Sequence, residues 1–286
     1  MKNRDNYDVI GDVHGHLDHL IRMIEILGYD REGKTYSHPD GRKMIFVGDL
    51  INRGPDSLGV LRFVRGLHEN GNAHVCLGNH EFRLIQQSVA QPTLPSSELK
   101  PFVGWLRSLP LFLEMTTFRV VHAAWHFSSI NVLRGILASE DRFIIHTLEK
   151  DNALSLATKR VLTGIKVRLP EKPVVRDRFG IPRSNGLVKW WENLRDKPLD
   201  DCLFPPMKPS LMDAVPSPED LKPLEAYGVK EKVVFVGHYC LPMQIPKINN
   251  NVVCVDGCVS YDEKLWAYRF SGETVLSAQN LIFCES

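Results

Sequence analysis

Five short motifs, each following an apolar run, place metal-binding side chains at the exits of predicted strands. They are Gly11-Asp12-Val13-His14-Gly15, Gly48-Asp49-Leu50-Ile51-Asn52-Arg53-Gly54, Gly78-Asn79-His80-Glu81, Val120-Val121-His122-Ala123 and Val236-Gly237-His238. Taken alone, Asp-x-His-Gly is as often an ordinary turn. Five such motifs in order make coincidence a poor explanation.

The runs between them alternate in period. Tyr7-Asp8-Val9-Ile10 reads as a strand, and Leu17, Leu20, Ile21, Ile24 and Leu27 then repeat at helical spacing until Gly28. Lys43-Met44-Ile45-Phe46-Val47 and Ala73-His74-Val75-Cys76-Leu77 are further strands, with a helix from about Ser57 between them. Asp12 and Asp49 are 37 residues apart and Asp49 and Asn79 are 30 apart, one strand–helix–strand unit each. This pattern favours a layered α/β design. Pro92 and Pro95 break the next helix, and residues 101–109 suggest a short one with Trp105. A strand at 118–122 follows, then a mostly helical stretch from about 131 to 163. Ten of the 18 prolines fall between Pro170 and Pro223, which marks residues 164–230 as an irregular insertion or cap within a single domain spanning 1–286. Strands resume at 233–236, 252–255 and 265–270.

With 286 residues, 43% of them hydrophobic, the chain can bury one sizeable core. A net charge of +1 argues against bulk nucleic acid or an anionic membrane as partner. No apolar run reaches 18 residues, and the polar first eight residues do not read as a signal peptide, so a cytoplasmic protein is expected. The cysteines Cys76, Cys202, Cys240, Cys254, Cys258 and Cys284 form no C-x-x-C pair and read as reduced, structural thiols.

Phosphoester hydrolysis needs an activated water, neutralised phosphoryl oxygens and help for the leaving oxygen. Two divalent ions roughly 3.5–4 Å apart supply the first two. A bridging carboxylate holds both, and mixed oxygen and imidazole ligands suit Mn, Fe or Zn better than Ca or Mg. Asp12 and His14 can face one ion across a sharp turn, Asp49 is the natural bridge, and Asn79, His122 and His238 complete the second ion's set.

The constellation resembles the calcineurin-like metallophosphoesterases over roughly residues 7–125 and 233–270. The resemblance implies a two-sheet β-sandwich flanked by helices, a dinuclear site at the strand ends (manganese first, iron or zinc as alternatives) and attack by a metal-bridging hydroxide. The glycine-bracketed Arg53 and the Gly-Asn-His-Glu form look like the branch of Ser/Thr protein phosphatases and symmetrical diadenosine tetraphosphate hydrolases. By that resemblance Arg53 and Asn79 bind phosphate and His80 protonates the leaving oxygen. The substrate would be a phosphorylated small molecule, a dinucleotide or a phosphoprotein. Asn52 stands where the phosphatases carry Asp, and Arg53-Gly54-Pro55-Asp56-Ser57-Leu58, residues 105–111 and Val236-Gly237-His238-Tyr239 look like the hydrolases. Glu81 resembles the phosphatases. Cys240 stands where many distant relatives have a second histidine, which leaves the first ion with Asp12, His14 and Asp49. The competing reading is a catalytically silent binding module, supported by Asn52 alone.

Other residues read as structural. His16, His19, His68, His74 and His126 suit surface or packing roles, and Lys166 and Arg168 suit a solvated basic face better than contact with an extended phosphate chain. Trp190 and Trp191 suit packing better than base stacking. Asp256 is equally a supporting acceptor for His238 and a plain turn residue.

Overall fold

The computed structural model describes residues 6–33, 35–91 and 98–285; Pro92 and Pro95 lie outside them. The strand β1 (Tyr7–Ile10) leads through α1 (Leu17–Ile26) and a small hairpin, β2 (Asp30–Glu32) and β3 (Thr35–Ser37), to β4 (Lys43–Phe46). The elements α2 (Ser57–Glu69), β5 (Ala73–Val75) and α3 (Asn79–Ala90) follow. Asp56 sets the start of α2 by accepting the Gly59 N–H at 2.7 Å. A short helix, α4 (Val103–Leu106), precedes β6 (Phe112–Glu114) and β7 (Phe118–Val121). The helical stretch expected at 131–163 is three helices, α5 (Phe127–Leu133), α6 (Asp141–Leu148) and α7 (Ala153–Thr163). After the hairpin of β8 (Lys166–Arg168) and β9 (Asn185–Leu187), the chain returns through β10 (Val233–Val236), β11 (Ile248–Asn249) and β12 (Val252–Cys254). It ends with β13 (Leu265–Phe270) and β14 (Leu281–Cys284).

Two five-stranded sheets form, in the orders β14-β13-β1-β4-β5 and β11-β12-β10-β7-β6. In the first sheet β1, β4 and β5 run parallel, with Ile10 opposite Phe46, while β13 and β14 join antiparallel. In the second β12, β10 and β7 run parallel, with Phe118 opposite Val233, flanked by antiparallel β11 and β6. Val9, Ile45, Phe118, Val120, Phe235, Val253, Tyr268 and Phe270 pack between the sheets. The opposite faces pack on helices, with Leu20, Met23 and Ile24 of α1 and Val60, Leu61 and Val64 of α2 in that layer. Each such buried side chain contributes about 1.5–3 kcal/mol. Burial on both faces explains why Val233–Val236 reads as a continuous apolar run rather than an alternating one. Parallel neighbours end at the same edge, so the residues after β1, β4 and β5 emerge side by side, as do those after β7 and β10.

At the other edge of β1, buried Asp8 is fully partnered. It accepts from Arg42 at 3.0 and 3.1 Å, from Arg269 at 3.1 Å and from the Tyr29 hydroxyl at 3.0 Å.

Residues 164–230 contribute Val175, Val188, Trp190, Trp191 and Leu203 to the helix-side core. The Trp190 indole N–H donates to the Tyr239 hydroxyl at 2.8 Å, which donates to the Ala123 carbonyl at 3.1 Å. Both tryptophans are therefore packing residues. Among the described residues no helix is long and apolar enough to cross a membrane.

One expectation is corrected. Cys240 and Cys258, read from sequence as reduced thiols, are joined in a disulfide, while Cys76, Cys202, Cys254 and Cys284 are buried and free. The two cysteines belong to turns that share an anchor: Asp256 accepts the Cys240 N–H at 2.6 Å and the Cys258 N–H at 2.8 Å.

Candidate metal centre

The loops leaving β1, β4, β5, β7 and β10 bring Asp12, His14, Asp49, Asn79, His80, His122 and His238 to one place. Asp49 lies at its middle. Its Oδ2 is 3.4 Å from His122 Nε2, 3.7 Å from His14 Nε2 and 3.9 Å from His80 Nε2. Asp12 Oδ2 lies 4.0 Å from His14 Nε2, and Asn79 Oδ1 meets His122 Nε2 at 3.1 Å and His238 Nδ1 at 2.9 Å. Two overlapping donor sets result, His14–Asp49–His80 and Asp49–His122–His238, with Asp49 common to both. His80 thus enters a donor set that the sequence reading gave to Asp12, His14 and Asp49 alone.

Local sequence explains this convergence. Gly237 lies so close to Asp12 that a Cβ there would stand 2.0 Å from Asp12 Oδ1, and one on Gly78 would stand 2.2 Å from the Asp49 nitrogen. Only glycine permits these loops to touch. The backbone is also held in an unfavourable region, with φ of 45° at His14, 53° at Asp49, 70° at Asn52 and Arg53, and 72° at His238. Such residues cost about 1–3 kcal/mol each and persist where the surroundings over-determine them.

Glu81 supplies much of that determination. At the third position of α3 it is buried, and it accepts the N–H groups of Asp49 and Leu50 at 2.8 Å, Gly78 at 3.0 Å and Ile51 at 3.2 Å. Sequence reasoning treated it only as a branch marker. The legible signal was a carboxylate three residues into a helix, where it caps free N–H groups. Asp256, a further buried carboxylate of this edge, holds the turns at Cys240 and Cys258 rather than His238.

The donor chemistry suits divalent ions. His14 Nδ1 is 3.1 Å from the Ile51 carbonyl and His122 Nδ1 is 3.0 Å from the Val47 carbonyl. In the neutral rings, donation to those carbonyls leaves each Nε2 lone pair facing the carboxylates. Burial, then Asp256, raises Asp12 well above the usual carboxylate range, even with His122 pulling it down. Burial would raise Asp49 too, but the surrounding His122, His14 and His80 rings hold it well below that range. Burial would lower His122, yet Asp49 lifts it to about 10. Burial lowers His14 to about 4 and His238 to about 3. No Lys or Arg side chain hydrogen-bonds or ion-pairs with Asp12 or Asp49 among the described residues. Two buried carboxylates with no Lys or Arg partner among the described residues, ringed by imidazole nitrogens, suit a pair of divalent ions.

Two further groups face this cluster. Arg53 is exposed at its rim without a side-chain partner among the described residues, and after burial its charge helps to lower His14, His80 and His238. His80 Nδ1 lies 2.8 Å from the Asn52 amide nitrogen, which turns Nε2 toward Asp49. His126 lies apart, capping α5 through the Ser129 N–H at 3.1 Å and meeting the Pro223 carbonyl at 2.6 Å.

The calcineurin-like phosphoesterase profile matches residues 6–242, most of the chain. The chain belongs to this family. Among curated proteins it is 40% identical over 103 residues to the asymmetrical bis(5'-nucleosyl)-tetraphosphatase PrpE of Halalkalibacterium halodurans, covering 36% of the chain and 42% of that relative. A symmetrical bis(5'-nucleosyl)-tetraphosphatase of Marinomonas sp. is 37% identical over 114 residues, 36% of the chain and 38% of that protein. The matches therefore span about two fifths of these relatives. Solved structures share this fold at low identity. A Ser/Thr phosphatase from Saccharomyces cerevisiae gives a TM-score of 0.51 at 14% identity, covering 99% of this chain and 81% of that one. A cold-active protein-tyrosine phosphatase from Shewanella gives 0.53 at 15%, covering 95% and 80%.

Proposed function

We propose that this calcineurin-like protein is a metal-dependent phosphoesterase acting on phosphate esters or phosphoanhydrides. The observation that carries this is the convergence of Asp12 and Asp49 with four imidazoles and Asn79, with no Lys or Arg partner and beside an Arg53 that is unpartnered among the described residues. Asp12, His14 and Asp49 would hold one ion, and Asp49, Asn79, His122 and His238 the other, with manganese our first choice and iron or zinc the alternatives. When bound, the ions supply water activation and charge neutralisation at phosphorus. Arg53 offers a planar fork for two phosphoryl oxygens, joined by the Asn79 amide. His80 delivers a proton to the leaving oxygen from Nε2, while Asn52 orients the ring through Nδ1. The amide accepts from the charged ring once its oxygen faces Nδ1 and donates to the neutral ring in the opposite orientation. We place the enzyme in the cytoplasm as a single domain, with residues 164–230 as its cap.

The test is manganese-dependent hydrolysis of diadenosine tetraphosphate and of a phosphoserine peptide, side by side, by the wild type and Asp49→Asn. Two ADP from the dinucleotide would mark symmetrical cleavage; ATP plus AMP would mark asymmetrical cleavage. Faster release of phosphate from the peptide would assign a protein phosphatase. No turnover of either substrate would leave the silent binding module.

A further inference from the structure

A groove lined with cations, some of them unpaired among the described residues, leads away from the centre. Lys159, on α7, lines a hollow of about 220 Å³ that includes Asn79. Lys159 also lines the neighbouring groove, about 510 Å³, whose other cations are Arg160, Lys166 and Arg183. No carboxylate lines either space. Lys166 in turn borders a third hollow beside Tyr239 and Cys240, on the loop that carries His238.

The cations of this region fall into two kinds. Arg168 pairs with Asp220 and Glu219, Arg178 with Asp262 and Arg183 with Asp177. The Lys159 and Lys166 ammonium groups have no ion pair or hydrogen bond among the described residues. Partial burial, then the nearby Lys159 and Arg183 charges, lower Lys166. Like charges kept together without a carboxylate raise the local concentration of anions, and flexible ammonium groups suit a chain of phosphates with no single fixed shape.

We propose that Lys159 and Lys166 form a subsite for the phosphates beyond the scissile one, so that the enzyme selects oligophosphate chains over lone phosphomonoesters. This rests on the phosphoesterase reading above and adds to it a reason for the substrate class.

The test compares the wild type with the double variant Lys159→Ala/Lys166→Ala, which removes two ammonium groups that have no ion pair or hydrogen bond among the described residues. With manganese present, KM for diadenosine tetraphosphate should rise by about tenfold or more with kcat nearly unchanged, while KM for p-nitrophenyl phosphate stays within about twofold. Added salt should narrow the difference, because exposed charges are screened over about 10 Å at 0.1 M. Calorimetric titration of inorganic tripolyphosphate without added metal gives a readout independent of turnover. The double variant should bind it about tenfold more weakly and bind orthophosphate as the wild type does. Equal KM changes on both substrates, or an unchanged affinity for tripolyphosphate, would overturn the subsite. Lysine-dependent tripolyphosphate binding by a wild type that hydrolyses neither substrate would support the subsite and sink the phosphoesterase reading instead.

Discussion

Asp8 and Asp12 are four residues apart, at the two ends of β1, and both are buried. Asp8 meets two guanidinium groups and a hydroxyl, so its charge is compensated by the fold itself. Among the described residues Asp12 accepts the His238 N–H, at 3.1 and 3.3 Å, lies 4.0 Å from His14 Nε2 and faces other carboxylates. The amino edge of the sandwich is finished in the metal-free chain, whereas the carboxyl edge leaves donor groups open to a cation. A buried charge paired by guanidinium groups is architecture; one ringed by imidazoles is a candidate binding site.

The largest expected effects separate these two edges. Asp49→Asn should lower manganese-dependent turnover by about 10³ or more while the protein stays folded, because the shared carboxylate is lost. Asp8→Asn should do the reverse. It leaves the Arg42 and Arg269 charges without their buried partner and should cost about 3–5 kcal/mol of stability, with kcat of the folded fraction near wild type. Urea unfolding and steady-state kinetics on both variants check this. Asp12→Asn adds a sign. Its carboxyl is raised on folding, so the metal-free protein loses stability as pH rises above the ordinary carboxylate value. The amide removes that loss: at pH 7 the metal-free variant should melt no lower than the wild type, while activity falls. If Asp12→Asn unfolds like Asp8→Asn, the contrast is wrong.

The same contrast shows what the sequence makes legible. The strands were readable because both faces of β7 and β10 are buried, which forces runs such as Val233–Val236. The ligand-type residues were readable because each directly follows such a run, and parallel pairing aligns those ends. Elements without a buried period were not. The edge hairpin strand Asp30–Glu32 is wholly exposed and polar. The packing residues of 164–230, such as Val175, Val188, Trp190 and Leu203, follow no repeat, so only a change of texture was visible. The Glu81 clamp and the Cys240–Cys258 pairing depend on loop conformation, which local patterns do not specify.

His80→Asn should lower kcat by about 10²–10⁴ if the ring is a proton donor, with the smallest loss on substrates whose leaving group needs no proton, such as p-nitrophenyl phosphate. An equal loss on good and poor leaving groups would move His80 into the metal set, beside His14 and Asp49, as the geometry also permits.

Metal binding itself should release protons. Metal-free His122 is lifted to about 10 by Asp49, so it is charged at neutral pH and must lose its proton before Nε2 can bind an ion. That raised value stabilises the metal-free protein fully below the histidine's unfolded pKa, and the contribution is lost as pH climbs toward 10. Manganese affinity should therefore rise about tenfold per pH unit below that value for each proton displaced. Calorimetry in two buffers of different ionisation enthalpy measures the number released, and zero would contradict the assignment of His122. Saturation at about 100 times Kd should add about 2.7 kcal/mol of stability, an increment that Asp49→Asn should lose and Asp8→Asn should keep.

The smallest effect concerns Asn52, where a neutral amide meets His80 at 2.8 Å. Burial, with Arg53 adding to it, keeps His80 below the ordinary histidine value. A general acid must be protonated, so activity should fall as pH rises through the pKa of His80 in the loaded enzyme. Asn52→Asp places a carboxylate against Nδ1, which favours the charged ring and raises that pKa. The alkaline limb of the kcat profile should move to higher pH by about one unit, with the acid limb unchanged and turnover at neutral pH altered by only a few-fold. A shift in the opposite direction, or a variant that loses activity at every pH, would mean that Asn52 positions something other than a proton donor. The carboxyl edge would then owe its function to the metal ligands and Arg53 alone.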